Sequence, residues 1–112
     1  MKPLSKSELE NFLERFEYFK DGEFRNIEIT SPKDVTFTFA VQDSSRGYDW
    51  ISIQLNFSDV EEASLLNNSD LNLVDMTDGI DIKNNGTLFA FDIKNSTCQI
   101  KSSSIKYEEG QF

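Results

Sequence analysis

Histidine is absent from the 112 residues. With it go the commonest general base, the usual activator of a serine or cysteine nucleophile, and the nitrogen ligand of most zinc, copper and iron sites. A single cysteine, Cys98, cannot form a bridge within the chain, and a lone thiol fits a reducing compartment. With no base near it in sequence, it reads as a small buried hydrophobe and not as a nucleophile. The five glycines are scattered singly, so no phosphate-cradling loop or dinucleotide fingerprint can be written, which excludes P-loop, kinase and dehydrogenase chemistry. No apolar run approaches the roughly 18–20 residues that cross a bilayer, and the polar start MKPLSKSELENF is unlike a signal peptide, so a cytoplasmic location is expected. Basic residues are also scarce, eleven against twenty acids, for a net charge of −9. A field of that sign repels nucleic acid and anionic membrane surfaces.

What is present describes an α+β domain. Residues 1–112 are expected to form one domain around one core. Leu9, Phe12, Leu13, Phe16 and Phe19 fall on one helical stripe, which predicts an amphipathic helix over residues 5–20. Overlapping capping boxes at Ser5/Glu8 and Ser7/Glu10 would open it, and Asp21-Gly22 would close it with a left-handed stop. After Gly22 the period changes to two. Phe24–Ile29, Val35–Val41 and Trp50–Phe57 read as half-buried strands, with a long loop over Asp43–Asp49. The Val60–Leu66 stretch fits a strand or a helical turn and is taken as strand. Asn85-Gly86 between Ile80–Ile82 and Leu88–Ile93 predicts a hairpin, and Cys98–Ile100 and Ile105–Tyr107 complete the pattern. The expected architecture is one N-terminal helix packed on an antiparallel meander sheet of six to eight strands spanning residues 23–107, curled towards a half-barrel, with residues 108–112 as a frayed tail. The ten phenylalanines are expected to fill the core, because a one-helix, one-sheet domain has few elements with which to do so.

The helix, then Asp21-Gly22-Glu-Phe24-Arg-Asn-Ile27-Glu-Ile29, the Val/Phe strand and Ile53-Gln-Leu55-Asn-Phe57-Ser-Asp-Val60, together resemble a pattern in small bacterial single-domain proteins. Some of these are immunity proteins of polymorphic toxin systems. The resemblance covers the first half of the chain and implies a binding role without catalysis. Where that pattern carries a histidine before the aspartate, this chain has Lys20, so no site built on the histidine carries over.

Charge is unevenly placed. Residues 43–81 hold nine acids against one base, Arg46, whereas the rest of the chain is nearly balanced. Asp59, Glu61, Glu62, Asp70, Asp75, Asp78 and Asp81 within that block make a candidate acidic patch able to steer a basic protein partner, or simply to keep a small protein soluble. Arg46, Tyr48 and Trp50 lie in or beside the long loop, and these residue types are enriched in binding hot spots. Ile51, Ile53, Leu55 and Phe57 should face the core, which turns Trp50 outward, either as a contact patch or folded back over the outer face of the sheet. Asp75, Asp78 and Asp81 surround Gly79 as a divalent-cation loop would, but the EF-hand spacing is missing and Asp and Gly also make ordinary turns. No metal or cofactor is therefore expected. The leading expectation is a protein-binding module. Behind it stand a self-associating, homodimeric domain and a carboxylate-based hydrolase or divalent-metal binder.

Overall fold

In the computed structural model, which describes residues 1–112, the helix α1 (Lys6–Arg15) begins after Ser5 and buries Leu9, Phe12 and Leu13. The Ser5 hydroxyl bonds the Glu8 carboxylate at 2.7 Å and caps no backbone N–H. α1 stops well before Lys20, for a tertiary reason. The Ser44 hydroxyl donates to the Arg15 carbonyl at 2.7 Å, the acceptor that a continuing helix would have offered to the Phe19 N–H. Phe19 bonds the Phe16 carbonyl instead, at 2.9 Å, and Glu17, Tyr18 and Phe19 enter the left-handed region with φ of 52, 57 and 61°. Such residues cost roughly 1–2 kcal/mol each. Complete burial of Phe16 and Phe19, at about 1.5–3 kcal/mol apiece, offsets that strain. Asp21 is left-handed, with φ of 60°, but contrary to the expectation from sequence it closes no helix, because α1 has ended at Arg15 and Lys20 is extended; its N–H bonds the Met76 carbonyl at 2.8 Å.

Seven strands follow the period-two pattern: β1 (Lys2–Pro3), β2 (Glu23–Ser31), β3 (Asp34–Asp43), β4 (Asp49–Ser64), β5 (Ile80–Asn85), β6 (Leu88–Ile93) and β7 (Gln99–Gln111). They form one antiparallel sheet in the order β2-β3-β4-β7-β6-β5, with β1 also paired to β7. Strand number and class match the expectation, but the order is not a simple meander. β7 inserts between β4 and β6, because β4, at 16 residues, outruns any hairpin partner and takes β7 along most of its length. The expected frayed tail is corrected by the same pairing, since residues 108–111 face residues 51–54 of β4 in register. The Val60 region is strand as far as Ser64, then coils into a short 3-10 helix over Asn68–Leu73. In the β5–β6 hairpin Asn85 pairs with Leu88, so the turn falls on Gly86-Thr87, one residue later than expected, with Gly86 at φ 70°.

Val35, Phe37, Phe39, Val41, Ile51, Ile53, Leu55 and Phe57 are all buried on the inner face of the sheet, as their alternation requires. At Asp59, φ 54°, and the extra residue Glu61 the alternation shifts, so that Phe57 and Val60 are both buried. Such a bulge bends the strand and increases its twist. The sheet therefore curls until Phe91 of β6 meets Phe37 of β3 at 5.5 Å and Phe57 of β4 at 5.0 Å between ring centroids. It does not close, and β2 and β5 remain as edges. Along β2, the Asn68 carboxamide accepts from the Ile27 N–H at 2.8 Å and donates to its carbonyl at 3.0 Å, standing where a neighbouring strand would. Nine of the ten phenylalanines are buried, and the exception is Phe112.

Candidate functional site

β3 continues its inward parity one step beyond Val41, which puts a carboxylate, Asp43, at a core-facing position with no exposed surface. A buried charge is tolerable only when paired and hydrogen-bonded. Arg15, from the last turn of α1, supplies a two-pronged bond, Nε to Oδ1 at 3.0 Å and Nη2 to Oδ2 at 2.7 Å. The Ser45 N–H and hydroxyl donate to Oδ1 at 2.9 and 2.7 Å. The Arg15 guanidinium, followed by the Ser45 donors, holds the Asp43 carboxyl down to about 2. Arg15 also reaches Glu109 on β7 at 2.8 Å, and Arg46 bridges Asp43 at 3.3 Å and Glu109 at 3.1 Å. Two arginines and two carboxylates thus tie α1, the β3–β4 loop and β7 together, and their charges cancel.

This network fixes the base of the loop that carries the predicted tip residues. Arg46 is absorbed into it, although its side chain stays about half exposed. Tyr48 stands outside the strand at φ 66°, 51% exposed. Trp50 lies on the outer face, opposite to Ile51, as its parity demands. It is 39% exposed, and its neighbour is Phe112, 61% exposed, with ring centroids 5.8 Å apart. Arg25 from β2 lies over Phe112, Cζ 4.5 Å from the ring centroid. No second layer covers Trp50: β4 runs in the same sheet as its neighbours β3 and β7. A cleft of about 390 Å³ opens here, walled by Trp50 and Phe112, with Arg46, Asp49 and Glu109 at its polar margin.

The seven acids of the candidate patch are not assembled into one surface. Asp59, Glu61 and Glu62 sit at the far end of β4, where Glu62 pairs with Lys101 of β7. Asp70 is on the 3-10 helix beside β2. Asp81 is on β5, beside Lys83, and β7 and β6 separate it from β4, a span of roughly 14 Å at the usual strand spacing. Asp75 and Asp78 do converge, on the Asn95 carboxamide at 3.4 and 2.9 Å. Bonds from Thr77 lower the Asp75 pKa, the opposite of what a general acid requires. No group of three or more potential metal ligands forms.

Cys98 is buried with its thiol pushed up to about 12 by burial. Asp43, Glu109 and Arg15 were missed by motif reading, yet a signal existed. Asp43 shares the parity of Val35–Val41, and Glu109 that of Ile105 and Tyr107, so carboxylates at core-facing positions implied a buried cation to meet them. No helix is long and apolar enough to cross a membrane. No protein-family model, no curated protein and no solved structure matches the chain.

Proposed function

We infer that the protein is a binding module that engages a basic protein partner through the aromatic end of its β3–β4 hairpin. The observation that carries this reading is the exposed Trp50–Phe112 pair beside Tyr48 on the adjoining loop, three of the six exposed large hydrophobic side chains, next to a loop base clamped by the Arg15–Asp43–Glu109–Arg46 network. Exposed aromatics on a rigid support make binding hot spots at small conformational cost. The net charge of −9 supplies long-range attraction to a basic surface even though the acids are dispersed, because steering depends on the summed field.

The test compares wild type with Trp50→Ala as baits in the native host's lysate at moderate and high salt. A basic partner held by wild type, weakened by salt and lost from a Trp50→Ala protein of unchanged melting temperature supports the reading. Equal capture by both baits refutes it. Self-association is the second reading. It is favoured by Ile29, exposed on the stretch of edge strand β2 beyond the residue that Asn68 occupies. A molar mass that rises with concentration in light scattering would support it, and a constant monomer mass would remove it.

A further inference from the structure

We propose that the cleft between Trp50 and Phe112 is a receptor for one arginine side chain of the partner, with Asp49 as its counter-charge; this rests on the protein-binding reading above. The two rings stand 5.8 Å apart and 44° from parallel, with much of each ring open to solvent. Aromatic faces attract a cation lying within about 6 Å of the centroid, and a planar guanidinium can stack where a compact ammonium cannot. The molecule already shows this chemistry on one of the rings, since the Arg25 guanidinium lies 4.5 Å from the Phe112 centroid.

Charge at the cleft selects the sign of the occupant. Of the polar groups at its margin, Arg46 and Glu109 are committed to the balanced network. Asp49 is exposed, makes no ion pair, and leaves the margin with one uncompensated negative charge. An anionic ligand would meet that carboxylate and a protein of net charge −9, with both neighbouring cations already paired, Arg46 to Asp43 and Glu109 and Arg25 to Glu23. An arginine meets the exposed surface of the Trp50 ring, the part of Phe112 that Arg25 leaves open, and a free acceptor suited to its fork of N–H donors.

The single tryptophan makes the test direct, because intrinsic indole fluorescence reports Trp50 alone. N-acetyl-arginine N-methylamide, titrated to tens of millimolar, is expected to change that fluorescence saturably and to shift the amide resonances of residues 49–50 and 112. The citrulline analogue, equal in shape and uncharged, is expected to bind at least about tenfold more weakly, as is arginine to Asp49→Asn. Equal responses to arginine and citrulline, or an unchanged response in Asp49→Asn, would overturn the proposal. An arginine-rich peptide that shifts only residues 59–62 would overturn the cleft while leaving the protein-binding reading standing. Loss of partner capture by Trp50→Ala without any arginine response would do the same. Absence of both peptide binding and partner capture would remove the two together.

Discussion

Replacing Asp43 by Asn removes one charge from the buried end of β3 while keeping the shape of the side chain. Its carboxyl falls from 3.8 to about 2 in the folded protein, so ionised Asp43 contributes about 2 kcal/mol to stability at neutral pH. The direction follows from the sign of the shift. A lowered folded pKa means that the contribution is fully present above about pH 4 and declines as pH falls through the folded value, to about half by pH 3. Asp43→Asn should therefore lower the melting temperature by about 8 °C at pH 7, given the unfolding entropy expected for this length. The deficit should narrow progressively between pH 4 and pH 3. Thermal and urea unfolding of both proteins at pH 7, 4, 3.5 and 3 measures it. Arg15→Met supplies the cross-check, because it should cost less in the Asp43→Asn background than in wild type. A deficit that is constant from pH 7 to pH 3, or absent at pH 7, would refute the account of Asp43 as a charge stabilised by Arg15.

Gly79→Ala should be severely destabilising, by about 3 kcal/mol or more, because its Cβ would clash with the Tyr18 carbonyl oxygen and the backbone there has φ 69°. Gly47→Ala, at φ 63° with nothing within 4 Å, should lose only about 1 kcal/mol in the same chemical denaturation. Asn68→Ala should cost about 1 kcal/mol by freeing both Ile27 backbone groups, and should raise association with concentration in light scattering as the β2 edge opens. Cys98 should resist a thiol reagent at pH 8 in the folded protein and react fully in urea, since burial both hides it and pushes its pKa to about 12.

The parts of the fold that are legible in the sequence are those governed by neighbours. The α1 stripe, the Val35–Val41 and Ile51–Phe57 alternations and the β5–β6 hairpin each declare themselves within a dozen residues. What escapes is set by partners far along the chain. α1 ends at Arg15 because Ser44 takes its carbonyl, and residues 108–111 are ordered as strand because β4 is long enough to need them. The tip was partly legible: Trp50's outward direction followed from parity, whereas its neighbour Phe112 lies 62 positions away and read as tail. The acidic block misleads in the opposite way. Proximity in sequence suggested one surface, but the bulge at Glu61 and the insertion of β7 spread those residues over separate parts of the molecule.

The place of β7 also bears on how the protein is made. It is synthesised after the other six strands yet lies in the interior of the sheet, joined to β4 on one side and to β6 and β1 on the other. Until it emerges from the ribosome, β4 and β6 have no common neighbour in the sheet, and the two halves of the core meet only through side-chain packing such as Phe57–Phe91 and Phe37–Phe91 and through the turn that follows α1. Before then the nascent chain carries a bare edge on β4 and another on β6, with which other chains could pair. Chains truncated before Gln99 should therefore accumulate as protease-sensitive species, with the cooperative transition appearing only when this strand joins the sheet.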